Sequence, residues 1–355
     1  MNMKEKVKNL PLTPGVYLMK DQKETVIYVG KAKSLKKRVQ TYFQNSAAHP
    51  QKIKKMVANI NDFQVLHTDT EFEAFLLECK LIKELKPLFN KKMKSHLPYS
   101  YIAIMMDGPI RKISIAAEKS EDCGTIYFGP YASTTYVKKA IENLKEYFQI
   151  NCLQPLKGSP CLNYTLGKCN GLCLGGSGVE QYNTIVEMFI SFLQGANTEI
   201  LDELKQKMNH ASEEYQFEEA AKYRNYMKSF SILLYKENMI QFTGGNKNIV
   251  VAEWINNRTL KVFLIKGHKV IFSKEYSPEK FRQLSEDIRD TIFNTFQQNE
   301  KRKSAVISKE ELDEAQIIYR YLNGGNARFV VIPEEWLDGS HSEKLDVSID
   351  HLLNA

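Results

Sequence analysis

Residues 152 to 178 hold four cysteines and six glycines with little hydrophobic periodicity, so apolar packing alone is not enough to hold this stretch in one conformation. Thiols spaced C-x8-C-x7-C-x3-C at Cys152, Cys161, Cys169 and Cys173 suit a tetrahedral metal or an iron–sulfur cluster, and the spacing does not choose between zinc and iron. Buried free cysteines are the bland alternative. Against it stands the crowding of four of the chain's six cysteines into 22 residues. A chain of 355 residues with 43% hydrophobic content has the length for two or three domains, and this segment punctuates them.

The part before the cysteines reads as mixed α/β. Apolar runs at 16–20 and 25–30 flank the polar stretch Asp21 to Glu24, a β-hairpin pattern. Ser34 is a fair N-cap for a helix whose stripe of Leu35, Arg38, Val39 and Tyr42 puts an arginine and a tyrosine on the inward face. A second basic helix is expected near 51–59 and a strand near 63–67. Thr70 and Glu73 then form a capping box for a helix that Pro87 ends. On that helix Glu78 falls at the edge of the apolar arc of Phe72, Phe75, Leu76 and Cys79, where a carboxylate is either salt-bridged at a blurred boundary or held by a ligand. Residues 1 to 100 hold 19 Lys+Arg against 9 Asp+Glu, a surplus larger than the whole chain's net +7. A polyanion such as nucleic acid and a solvated lysine-rich face are the two readings of that asymmetry.

Further on, 101–106 and 111–116 read as a hairpin around Asp107-Gly108, followed by a strand at 125–128 and a helix at 137–148. After the cysteines, Ile200, Leu201, Leu204 and Met208 form one helical stripe. Ala220, Tyr223, Met227, Phe230 and Leu234 form a second, so an antiparallel helix pair is expected. From Ile249 the pattern is strand, strand, strand, helix, helix, strand, read as a separate α/β module with Gly324-Gly325 as a turn before 328–332. No stretch approaches the roughly 18 apolar residues of a membrane helix, and the lysine-rich start lacks a signal segment, so a soluble, cytoplasmic protein without membrane association is expected.

Pro14-Gly15-Val16-Tyr17, Tyr28-Val29-Gly30-Lys31-Ala32, Leu35, Arg38, Tyr42-Phe43, Glu71, Glu73-Ala74, Leu77-Glu78, Leu81-Ile82-Lys83, Lys86-Pro87 and Asn90 together resemble the GIY-YIG nuclease domain, in the form found in the UvrC family. Cys161-Leu162-Asn163-Tyr164 and Gly167-Lys168-Cys169 resemble that family's cysteine region, and Phe217-Glu218-Glu219-Ala220-Ala221 with Arg224 resembles its UVR motif. The resemblance implies an α+β multidomain chain. Its parts are an N-terminal GIY-YIG α/β nuclease domain (1–97), an α/β extension (98–150), a cysteine-rich metal or iron–sulfur region (151–180), a helical region with the UVR hairpin (181–238, hairpin about 198–236) and a small C-terminal α/β module (239–355).

The implied chemistry is phosphodiester hydrolysis with one divalent cation. Glu78 is the implied ligand of Mg²⁺ or Mn²⁺, and Tyr28, helped by Tyr17 or by metal-bound water, the implied proton acceptor, with the choice between the two tyrosines open. Arg38 and Lys31 are the implied charge stabilisers, with Tyr42 orienting and Asn90 completing the site. The implied ligand of the four cysteines is a [4Fe-4S] cluster, with Zn²⁺ second. The implied partners are damaged double-stranded DNA and UvrB, the latter through the UVR hairpin. No Asp-Ile-Ser-His strand of an RNase H-like nuclease is found, so a short form related to Cho with a single, 3′-side incision near a lesion is expected. Lys94-Ser95-His96 stands where the family carries an acidic pair. Two other readings stay open: a non-cutting UvrB-binding accessory or competitor, and a UvrB-independent nuclease on branched or mobile-element DNA.

Overall fold

The first apolar run is buried on both faces because it becomes a central strand. The computed structural model describes residues 3–44, 50–91, 93, 99–120, 123–152, 155–277, 281–299, 309–325, 327–337 and 342–354. Lys94-Ser95-His96 lies outside the described residues. The chain forms two units, one of residues 1–96 with 242–355 and one of residues 97–241.

In the first unit α1 (Met3–Lys8) precedes β1 (Gly15–Lys20), β2 (Val26–Ala32), α2 (Leu35–Phe43), α3 (Gln51–Ala58), β3 (Asp62–His67) and α4 (Glu71–Leu85). β1 pairs antiparallel with both neighbours in the order β2-β1-β3, which leaves β2 an outer edge. Tyr17 and Met19 on one face pack with Leu35, Val39, Tyr42, Met56 and Phe63, while Val16, Leu18 and Val29 on the other pack with Ala74 and Ile82 of α4. The capping box forms: Glu73 N–H donates to Thr70 Oγ1 at 3.1 Å and Thr70 N–H donates to Glu73 Oε2 at 3.2 Å. Lys86, left-handed at φ 46°, ends the helix before Pro87.

Two expectations for α2 are corrected. Ser34 occupies the N-cap position but makes no capping bond, and its hydroxyl has no hydrogen-bond partner among the described residues. Arg38 is exposed, not inward, while Leu35, Val39 and Tyr42 are buried. A guanidinium is costly to dehydrate fully, so it stands at the margin of the stripe, with its head group over the Tyr42 ring at the cleft.

The second unit begins with β4 (Ser100–Met105), β5 (Lys112–Ala116), β6 (Thr125–Tyr131) and α5 (Thr134–Tyr147), with sheet order β5-β4-β6. Then come α6 (Leu162–Thr165), α7 (Ser177–Leu193), α8 (Glu199–Glu213) and α9 (Phe217–Gly244). One core joins Val137 and Leu144 to Cys173, Phe189, Ile200, Leu204, Phe230 and Leu233. The apolar stripes of α8 and α9 therefore serve their own unit first.

The C-terminal residues supply β7 (Asn248–Asn256), β8 (Thr259–Lys266), β9 (Lys269–Tyr276), α10 (Phe281–Gln298), α11 (Lys309–Leu322), β10 (Arg328–Ile332) and a further helix not foreseen, α12 (Ser342–Asn354). The sheet order is β10-β7-β8-β9, with α10 and α12 on one face. The other face takes α11 together with Phe72 and Cys79 of α4. The expectation of a separate module is thereby corrected, since the C-terminal sheet and the N-terminal helix share a core. Among the described residues, no helix is long and apolar enough to cross a membrane.

Candidate active site and metal centre

The outer edge of β2 is closed by chain that comes after α4. Phe89 N–H donates to Ile27 O at 2.9 Å, Val29 N–H donates to Asn90 Oδ1 at 2.9 Å, and Asn90 Nδ2 donates to Val29 O at 2.8 Å. Outward-pointing amides recur every second residue, and the next one, Lys31 N–H, donates to Glu78 Oε1 at 3.1 Å. One edge thus fixes both Asn90 and Glu78. Among the described residues Glu78 Oε2 has no hydrogen-bond partner. Burial pushes the Glu78 carboxyl above the usual range, opposed by the Lys31 amide bond and by the charges of Lys31 and Arg38.

Tyr17, Tyr28, Lys31, Arg38, Glu71 and Glu78 line one cleft of about 800 Å³. The convergence expected at the hairpin end is therefore present. Tyr42 and Asn90 do not line it and stand behind it. Tyr42 is buried, and its hydroxyl lies 2.8 Å from that of Tyr17. Asn90, expected to complete the site, has its amide engaged with the Val29 backbone and so acts by setting β2.

The three tyrosine rings lie 5.7 to 6.4 Å apart by centroid, and the Arg38 guanidinium sits 5.2 Å from the Tyr42 ring centroid. Burial pushes the phenols of both Tyr17 and Tyr28 upward, with Tyr42 adding to it and Arg38 pulling the other way. Lys31 Nζ bonds Glu71 Oε1 at 2.6 Å and lies 4.7 Å from the Phe75 ring centroid. Glu71 was not among the expected site residues. Its signal was the seven-residue spacing to Glu78, two helical turns on the same face.

Tyr17 faces Gly30 across the hairpin, and a Cβ on Gly30 would lie 2.3 Å from the Tyr17 hydroxyl oxygen. The hairpin needs glycine here so that a phenol can fold over the strand. Gly30→Ala is expected to lose about 1–3 kcal/mol of stability by overpacking. Urea unfolding measures it, and an unchanged midpoint would mean that Tyr17 is free to move.

The four thiols of the second unit meet as expected. The Sγ atoms of Cys152, Cys161, Cys169 and Cys173 all lie within 4.8 Å of one another, with Cys152 and Cys161 at 4.0 Å and Cys161 N–H directed at Cys173 Sγ at 3.4 Å. None is in a disulfide. Gly158 N–H to Cys173 O at 2.9 Å and Asn170 N–H to Gln149 O at 2.8 Å fold the loops around them. Ligands roughly 2.3 Å from a tetrahedral zinc stand about 3.8 Å apart, so this set fits a single ion directly. A four-iron cubane interposes its own irons and sulfides and needs the thiolates farther apart.

Comparison with known proteins bears on the same segments. Residues 13–91 match the UvrC-like GIY-YIG domain, residues 99–192 the UvrC/Cho excinuclease middle domain and residues 198–232 the UvrB/uvrC motif. UvrABC system protein C of Acetivibrio thermocellus is 33% identical over 343 residues, covering 94% of this chain and 55% of that protein. Its counterpart in Clostridioides difficile is 33% identical over 358 residues, covering 98% and 57%. That of Caldanaerobacter subterraneus is 32% identical over 369 residues, covering 100% and 59%. The chain spans somewhat over half the length of these relatives. The solved GIY-YIG N-terminal endonuclease domain of UvrC from Thermotoga maritima, bound to magnesium, aligns over its whole length with 26% of this chain at 31% identity and a TM-score of 0.23. With three successive segments matched and likeness extending along nearly the full chain, this protein belongs to the UvrC family.

Proposed function

We propose that this chain is a metal-dependent, structure-specific DNA endonuclease of nucleotide excision repair, making a single incision on the 3′ side of a lesion in a UvrB-dependent complex. The observation that carries the proposal is the shared cleft: Glu78, with one oxygen tied to the Lys31 amide and the other without a partner among the described residues, lines it together with Tyr17, Tyr28 and Arg38. A hard divalent cation takes oxygen ligands, which Glu78 offers, so Glu78 would hold Mg²⁺ or Mn²⁺. When bound, that cation polarises the scissile phosphate and supports the departing oxygen.

Each side chain then has a task. Arg38, exposed at the cleft, presents its fork to phosphate oxygens. Tyr28, its own proton first released to solvent, takes the proton of the attacking water as the new P–O bond forms, and the bond to the leaving oxygen breaks with that oxygen protonated from solvent. Burial works against an ionised Tyr28, and Arg38 works for it. Tyr42 holds the Tyr17 hydroxyl and carries Arg38 on its ring, while Lys31 positions Glu78 through its amide and Glu71 through its ammonium.

Docking to UvrB belongs to the tip of the helix pair. The apolar stripes of α8 and α9 are spent inside the chain, yet Tyr215 and Phe217 at the turn between them are 81% and 64% exposed with their rings 6.2 Å apart. For the four thiolates we propose a structural metal centre. The family resemblance favours a [4Fe-4S] cluster, and the 4.8 Å spread of the sulfurs favours zinc as the second reading.

The test is incision of an end-labelled duplex carrying one lesion, with and without UvrB and Mg²⁺. A 3′-side nick that needs both supports the proposal. Cutting of branched DNA without UvrB would shift the reading to a stand-alone nuclease, and no cutting at all would leave an accessory of UvrB. DNA affinity is expected to drop by at least about tenfold between 50 and 200 mM salt, because the basic residues of the first hundred displace counterions. A flat salt response would count against DNA as the partner.

A further inference from the structure

The helix that carries Glu78 is apolar on two sides, and the hairpin sheet covers only one of them. Ala74 and Ile82 pack on β1 and β2. Phe72 and Cys79, 4% and 0% exposed, are instead packed in a cluster with Ile249, Val251, Phe263, Ile265 and Ile318. Phe72 stacks on Tyr321 with ring centroids 3.9 Å apart at 5°, and meets Phe263 edge-on at 5.2 Å and 89°. Tyr321 is itself set by its hydroxyl, which donates to Glu253 Oε2 at 2.5 Å.

Charges add two further points of attachment. Lys261, nearly buried, reaches the start of α4, where its ammonium bonds Asp69 and lies 3.1 Å from Glu73 Oε1. Glu73 also closes the capping box through its other oxygen, so one carboxylate both caps α4 and binds β8. Near the far end Lys83 pairs with Glu314 of α11 at 3.6 Å.

We propose that the C-terminal module is the positioning support of the cutting centre: Phe263 and Tyr321 grip Phe72, Lys261 anchors the first turn of α4, and together they set where Glu78 stands. Phe75 is the link to the cleft, because it packs against the same cluster and lies under the Lys31 ammonium, while the Lys31 amide holds Glu78. Rocking α4 therefore moves the carboxylate relative to the Lys31 amide of β2 that orients it. Misplacement by about 1 Å is enough to cost a catalytic centre heavily. The inference rests on the nuclease reading for its consequence in cutting, and on geometry alone for its effect on α4.

The experiment compares full-length wild type with Tyr321→Ala, Tyr321→Phe and Lys261→Gln by amide hydrogen exchange without metal, by Mn²⁺ binding, and by the Mg²⁺ dependence of incision. In Tyr321→Ala, exchange across α4 is expected to speed up while β4 to β6 keep wild-type protection. Its Mn²⁺ affinity is expected to fall, and its half-maximal Mg²⁺ to rise, by about tenfold, the lower end of what losing an outer support of a metal ligand costs. Excess Mg²⁺ should restore its cutting. Tyr321→Phe, which keeps the stacking ring but loses the bond to Glu253, should fall between wild type and Tyr321→Ala in both readouts. Unchanged α4 exchange together with unchanged Mn²⁺ affinity in Tyr321→Ala would overturn the proposal. If that variant does not fold, the same pair of unchanged values in Lys261→Gln overturns it. A wild-type chain that never cuts removes the nuclease reading, and exchange and Mn²⁺ binding still decide the positioning role.

Discussion

Glu78→Gln is expected to leave a folded protein whose incision rate is at least about a thousandfold lower, since a cation at a phosphate contributes several kcal/mol of charge stabilisation and each 1.36 kcal/mol is tenfold in rate. The substitution changes little else. An amide oxygen still accepts the Lys31 N–H bond, and the volume of the side chain is kept. Stability gives the control. Burial raises the Glu78 carboxyl in the folded state, so without metal the wild type loses stability as pH rises through that folded value, and the variant has no such loss. In the presence of a chelator the variant should melt at or above the wild-type temperature at neutral pH, with the gap closing in acid as the carboxyl protonates. Thermal melts at several pH values and single-turnover incision measure the two effects. A variant that cuts like wild type would remove Glu78 from the chemistry, and one that melts far below it would recast Glu78 as structural.

What sequence patterning reveals here is local, and what it misses is the identity of the covering surface. The hairpin, the capping box at Thr70 and Glu73, and the four converging thiols depend on neighbours or on few ligands, and each is recognisable from residue types and spacing. The arc of Phe72, Phe75, Leu76 and Cys79 was equally visible. Periodicity shows that such a face is buried but not by what, and the cover comes from residues nearly two hundred positions later. The stripes of α8 and α9 carry the same ambiguity: they looked ready for a partner and are mostly used inside the unit, leaving Tyr215 and Phe217 exposed at the tip. Arg38 misleads for another reason. Helical projection counts positions, whereas the cost of dehydrating a guanidinium decides on which side of the margin it settles. Asn90 could not be placed without knowing that β2 is an edge strand whose amides need acceptors.

The thiolate site carries the second large effect. Cys169→Ser is expected to remove the metal and to destabilise residues 97–241 by several kcal/mol, because binding free energy at a site of this kind is folding free energy. The local packing explains why nothing else would compensate. Among the described residues between Cys152 and Gly178 the buried side chains are Cys161, Cys169, Cys173 and Leu172, with Cys152 half-buried, while Leu156, Leu162, Leu166 and Leu174 are exposed. The Ile150 to Cys169 bridge and the Cys161 N–H bond to Cys173 Sγ depend on loops that the thiolates tie together. Metal analysis, a melting curve and limited proteolysis read the outcome, with new cleavage expected between residues 152 and 178 in the variant and in chelated wild type. Stoichiometric zinc would agree with sulfurs already within 4.8 Å of one another, whereas iron with sulfide would require them to part around the cluster. A wild-type chain carrying neither metal and no more stable than the variant would show that the thiols meet without a ligand, and the segment would then have to be held by the hydrogen bonds of its turns alone.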